Sequence, residues 1–267
     1  MFLTKKGFRK ALIMSVCYFA LGSICFLLAA HFENMDVGAE LLWGLGMFTY
    51  LLCVPVFFCV RYTEGKGKVI LLGSKLVQKE LRPAAFIKEY ESLKNDKSLV
   101  INKPSIDVLM IVASAYDSLD DRVNTLKTLD ELVAVAGEKK LAYATALKAS
   151  VLYAYGTIEE AEKLFAQAQK MKLDATCTAL LDVVLKSDRA FAMGDYEVAE
   201  AYYLRLLEQK FPKLDNFVRL AAHYKLGEIY EQLEKTEKAI SYYQYCVNNG
   251  GETAIKLSAI EKLQHLE

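Results

Sequence analysis

Two stretches of twenty residues each, 11–30 and 41–60, contain no charged side chain. At 1.5 Å of rise per residue, each would make a helix about 30 Å long, the thickness of a bilayer's hydrocarbon core. Both runs are apolar on every side, so neither has the polar face that a helix on a soluble core turns to water. Trp43 lies near one end of the second run, where interfacial aromatics collect, and Pro55 lies near the other, where a membrane helix tolerates a kink. Lys5, Lys6, Arg9 and Lys10 precede the first run. The loop 31–40 carries Glu33, Asp36 and Glu40 with no Lys or Arg, and Arg61, Lys66 and Lys68 follow the second run. Basic flanks stay in the cytoplasm, so residues 1–62 read as a two-pass hairpin with both termini inside. The short loops suit a bacterial plasma membrane. A cleaved signal peptide ending near Leu28-Ala29-Ala30 is the alternative, but its apolar region would span only about 7–15 residues. Either way the remainder faces the cytoplasm. Neither run holds Asp, Glu, Lys, Arg or His, the groups a proton or ion path needs, so the expected role is an anchor in the lipid bilayer. Gly22, Gly44 and Gly46 offer sites of close helix contact.

The chain has 33 basic and 33 acidic residues. Subtracting the four basic and three acidic ones before residue 61 leaves 29 and 30, so the part beyond the hairpin is close to neutral. A nucleic-acid partner would call for a basic face, and none is expected. The six cysteines form no C-x-x-C pair and read as small apolar residues with reduced thiols. His31, His223 and His265 are scattered, with no metal-ligand spacing, and His223 falls at a packing position. Gly65-Lys66-Gly67-Lys68 is a basic linker rather than a phosphate cradle, and G-x-S-x-G is absent. Asp120-Asp121 and Glu159-Glu160 sit at helix starts, where negative charge suits the dipole. These readings predict no catalytic residues, no cofactor and no metal.

From residue 68 onward, amphipathic helical segments of 12–20 residues alternate with short polar breaks, which predicts an all-α fold of antiparallel neighbours. A small residue recurs at Thr125, Ala161, Ala199 and Ala239, at spacings of 36, 38 and 40. Such near-equal spacing marks a helical repeat. The motif is fullest at Leu226, Gly227, Tyr230, Ala239 and Tyr243, clear at Ala161, Phe165 and Ala168 and at Ala199 and Tyr203, and degenerate at Ala149 and Leu152 and at Ser187 and Ala190. It is faint over 107–136.

Over about 105–251 these residues resemble the tetratricopeptide repeat family, whose small residues let paired helices cross closely while aromatics fill the next gap. The resemblance implies an α-solenoid with a concave groove lined by first helices. Its alignment places Tyr143, Ala146, Ser150 and Tyr153, then Val184, Asp188 and Phe191, then Tyr224, Glu228 and Glu231 in that groove. Some family members clamp a chaperone's C-terminal carboxylate with Lys and Asn; here those positions hold Ser150, Asp188 and Glu228, beside Ala146, Val184 and Tyr224, so the clamp is absent. An aromatic and acidic groove suits an apolar or basic helix or peptide. Residues 63–104 read as a linker with a degenerate first pair, with helix 68–81 placed either on the repeats or on the membrane surface. Residues 252–267 read as a capping helix, with Ile255, Ile260, Leu263 and Leu266 on one side. The expected function is a membrane-tethered scaffold that binds a protein or peptide. A peptide or ligand sensor, or an accessory subunit of a transport or secretion complex, is the alternative.

Overall fold

The computed structural model describes residues 5–32, 43–49, 51, 66–95, 105–171, 175–208 and 215–266, and all regular structure among them is helical. The chain forms two compact units, one of residues 1–69 with 90–104 and one of residues 70–89 with 105–267.

In the first unit, α1 (Lys5–Phe32) is one continuous helix and α2 covers 43–49. The two helices touch through glycine. A Cβ on Gly46 would lie 3.2 Å from the Phe26 ring and 3.3 Å from the Gly22 carbonyl oxygen, whereas one on Gly44 would meet nothing within 4 Å. The Phe26 and Trp43 rings pack edge to face at 4.8 Å. Among the described residues no helix is long and apolar enough to cross a membrane. The side chains described in α1 are 13–28 and Ala30, a stretch shorter than a full span, and the expected second span, 41–60, lies outside the described residues apart from 43–49 and Leu51.

In the second unit, four helix pairs follow one another: α5 (Ile106–Asp117) with α6 (Arg122–Val135), α7 (Glu138–Ala154) with α8 (Ile158–Lys170), α9 (Ala175–Ala192) with α10 (Tyr196–Glu208), and α11 (Asn216–Gln232) with α12 (Thr236–Asn249). Helix α13 (Ala254–Leu266) closes the last pair through Ala259, Ile255, Leu263 and Leu266. Each pair turns in the same way. One residue enters the left-handed region (Asp120, Gly156, Gly194 or Glu234, φ between 55° and 81°). The following N–H then donates back to a carbonyl of the first helix: Asp121 to Tyr116, Thr157 to Leu152, Asp195 to Ala190 and Lys235 to Tyr230, at 2.8–3.0 Å. This bond closes a helix C-terminus whose last carbonyls would otherwise lack partners.

Five residues after each left-handed position comes the recurring small residue, and Thr125, Ala161, Ala199 and Ala239 are all fully buried. Four residues further on, Leu129, Tyr203 and Tyr243 are also buried, and Phe165 packs at the edge of its cluster. At Gly227 the crossing is closest, because a Cβ there would lie 2.6 Å from the Tyr243 ring. The repeated small–large order therefore sets the interhelix spacing, as the sequence pattern predicts.

Within 63–104, helices form as α3 over 66–79 and α4 over Pro83–Asn95. The second half of α3, a π-helical turn over Ser74–Lys79, packs on α5 and on α11, reaching from the first pair to the last. The Asn216 amide donates to the Lys79 carbonyl at 3.0 Å. The Glu252 N–H donates to the Leu81 carbonyl at 2.8 Å, and Arg82 pairs with Glu252 at 3.0 Å. Gly73 permits the approach, since its Cβ would lie 2.2 Å from Ile111.

Candidate functional site

The first helices α5, α7, α9 and α11 line a cavity of about 700 Å³, with Ile70, Val77 and Gln78 of α3 contributing to its wall. Its apolar wall includes Met110, Ile111, Leu129, Leu147, Val151, Val184 and Phe217, and its polar groups include Asp107, Ser114, Asp117, Ser150, Asp188, Tyr203, Asp215 and Lys225. A cavity of this size with few polar groups in apolar walls has the form of a ligand pocket.

The acidic groups differ in how they are held. Asp107 pairs with Lys140 at 3.3 Å, and the Asp215 carboxylate caps α11 by accepting from the Val218 N–H at 2.8 Å. Asp117 accepts from the Tyr155 hydroxyl at 2.7 Å. Asp188 accepts from the Tyr203 hydroxyl at 2.6 Å and from Ser150. Among the described residues neither Asp117 nor Asp188 forms an ion pair; each accepts from hydroxyls, with the charges of Arg122 and Lys225 respectively acting from further off. Burial raises the Asp117 carboxyl from 3.8 to about 6, against the Tyr155 hydrogen bond, and the Asp188 charge raises it further. Burial raises Asp188 too, opposed by Ser150, Tyr203 and the more distant Lys225. Lys225 is itself engaged: it donates to Glu228 at 2.8 Å and lies 4.1 Å over the Phe191 ring.

The groove candidates read from the sequence divide into two groups. Tyr143, Ser150, Val184 and Asp188 line the cavity together. The other five lie outside its wall. Tyr153 is buried and donates to Glu162 at 2.6 Å, on a carboxylate that Arg189 also holds. Phe191 packs edge to face on Tyr196, and Tyr224 packs on Tyr243. Glu228 holds Lys225, and Glu231 accepts from Tyr243 and from Lys262 of the capping helix. These contacts mostly hold the two helices of a pair together, while Arg189 and Lys225 join one pair to the next. Ala146, in the same alignment, is fully buried in the second pair's core.

Sequence reasoning missed Ser114 and Asp117, although the signal was present. Ser150, Asp188 and Glu228 each stand eleven residues before the recurring small residue, and the same step back from Thr125 gives Ser114. The step of eight that gives Tyr153, Phe191 and Glu231 gives Asp117 in the first pair. That pair's motif is faint, which hides the register there. The contribution of α3 had no signal in the repeat.

Among the described residues no three His, Cys, Asp or Glu side chains are placed to hold a metal ion. No protein-family model, curated protein or solved structure matches the chain.

Proposed function

We propose that this chain is a membrane-tethered, non-catalytic interaction module whose tetratricopeptide-like repeats bind a protein or peptide segment in the cavity of the second unit. The observation that carries the reading is the convergence of four successive first helices on one cavity with apolar walls and two carboxylates that carry no ion pair. Such a surface favours an extended or helical segment with apolar anchors and a positive charge.

The tether rests on the two uncharged runs and on the charge asymmetry of their flanks. It is supported by the exposure of large apolar side chains on α1, such as Ile13 at 61% and Leu27 at 72%. A side chain left open in this way is stable against acyl chains and costly against water. The inferred topology is two-pass with the repeats in the cytoplasm.

The test is co-purification of the full-length protein from gently solubilised membranes, beside an Asp188→Asn variant and a control of residues 1–68. A partner retained by the full chain, weakened by Asp188→Asn and lost from the control supports the groove. A partner retained by the control would move recognition to the hairpin and overturn the proposal.

A further inference from the structure

The groove that the proposed function assigns to a partner is already in use. Helix α3 crosses it from α5 to α11, and its chain continues into the Leu81 carbonyl's bond to Glu252. Leu76 and Val77 are buried there, while Lys75 and Lys79 stay exposed. Lys75 is 68% exposed and lies 3.8 Å from Glu80, so the basic side chains of this segment turn away from the cavity. The fit is incomplete, because about 700 Å³ remains open beside Ile70, Val77 and Gln78 of the segment. Residues facing that space lose dispersion contacts that a better occupant would supply. Asp117 and Asp188 line the same space, hydrogen-bonded to hydroxyls and without an ion pair among the described residues.

The backbone of the segment departs from regular α-helix. Ser74–Lys79 is wound as a π-helix, a rare form enriched at functional sites. Leu81 is held at φ +51°, a left-handed conformation that is strained for a side chain with a Cβ. Leu81 is also buried in the core of the last pairs, which pins the end of the segment there.

We infer that residues 70–80 are a resident, displaceable occupant of the groove, and that the partner replacing them is an amphipathic helix presenting a Lys or Arg to Asp117 and Asp188. This rests on reading the groove as the partner surface. The partner gains over the resident segment by filling the cavity and by placing a cation where the chain's own segment places Val77 and Gln78. Because residues 70–80 directly follow the linker from the hairpin, the groove is open to a partner only when that segment is undocked.

The test uses the full-length protein in detergent and a fluorescein-labelled peptide of residues 70–82, read by anisotropy. Two strap variants leave the receiving repeats untouched. Gly73→Ala places a methyl against Ile111 while favouring helix, and Val77→Asp brings a further carboxylate to a cavity that four already line. Hydrogen exchange at residues 70–79 reports whether the strap has left. A released strap should raise peptide affinity at least about tenfold, because the apparent constant falls by the fraction of empty grooves. A peptide carrying Gln78→Lys should bind tighter still, and Asp188→Asn should remove that increment. A peptide carrying Val77→Asp should not bind.

Loss of exchange protection in either variant without a gain in peptide affinity overturns the inference, as does equal binding to wild type. Equal binding of the Gln78→Lys and parent peptides overturns its cation element. The outcome separates from that of the proposed function. Peptide binding gated by the strap, with co-purification indifferent to Asp188→Asn, refutes the protein-partner reading alone. The reverse pattern refutes the displaceable helix alone.

Discussion

Replacing Gly227 with Ala isolates the contact on which the last repeat is built. The methyl carbon would sit 2.6, 2.8 and 2.9 Å from Cε1, Cδ1 and Cζ of Tyr243. Tyr243 cannot yield, because it is fully buried and its hydroxyl is tied to Glu231, which Lys262 also holds. Overpacking of this kind costs about 1–3 kcal/mol. Against it stands the gain of about 0.5–1 kcal/mol from removing a glycine from a helix interior. The net expectation is a loss of about 1–2 kcal/mol, a marked fraction of a domain's stability. The assay is urea unfolding of the full-length protein followed by far-UV circular dichroism, with Gly67→Ala as the control. Gly67 lies in helix with nothing within 4 Å of its Cβ, so that change should be neutral or stabilising. A double-mutant cycle completes the argument. Tyr243→Leu alone removes ring contacts and leaves Glu231 without that donor, whereas in the Gly227→Ala background the shorter side chain relieves the clash. The pair should therefore be less damaging than the sum, by about 0.5–3 kcal/mol. A Gly227→Ala variant as stable as wild type, or strict additivity with Tyr243→Leu, would refute the claim that helix approach at this crossing is limited by the aromatic ring.

The turns, the acids and the histidine give further tests. Asp120 and Glu234 occupy the left-handed position that Gly156 and Gly194 fill in the middle pairs. Glu234→Gly should therefore raise the unfolding midpoint by the equivalent of up to about 1 kcal/mol, and Gly156→Ala should lower it, both by urea titration. Asp117 is raised to about 6, so its protonated form is the one the fold favours. Its contribution is full below pH 4 and is lost as pH rises through 6. Asp117→Asn, which keeps an acceptor for Tyr155, should flatten that fall in stability across pH 4–7. His223 stacks on Tyr245 at 3.6 Å, and burial lowers it to about 4, with Arg219 adding to the effect. Its contribution is present above about 6.5 and is lost as pH falls through 4. An NMR titration should place the His223 midpoint near 4, and a midpoint at or above about 6.5 would refute the burial argument.

The sequence by itself determined the local and the periodic. Two uncharged runs are visible because lipid compatibility is a matter of composition over twenty residues. The helix pairs are visible because burial of Thr125, Ala161, Ala199 and Ala239 demands a small side chain at each crossing, and that demand recurs at a readable spacing. Four of the nine groove candidates, Tyr143, Ser150, Val184 and Asp188, line the cavity in the same register. Tyr153, Tyr224 and Glu231 did not, because facing a groove and facing the next helix differ by a fraction of a helical turn, which residue type does not encode. Only the tertiary structure brought Asp117 and Asp188, 71 positions apart, to one cavity. Only it carried α3 across to Asn216 and Leu81 to Glu252, because such contacts depend on how far four stacked pairs turn the last helix back toward the first. That turn is the sum of small rotations at each crossing, and no single stretch of sequence holds it.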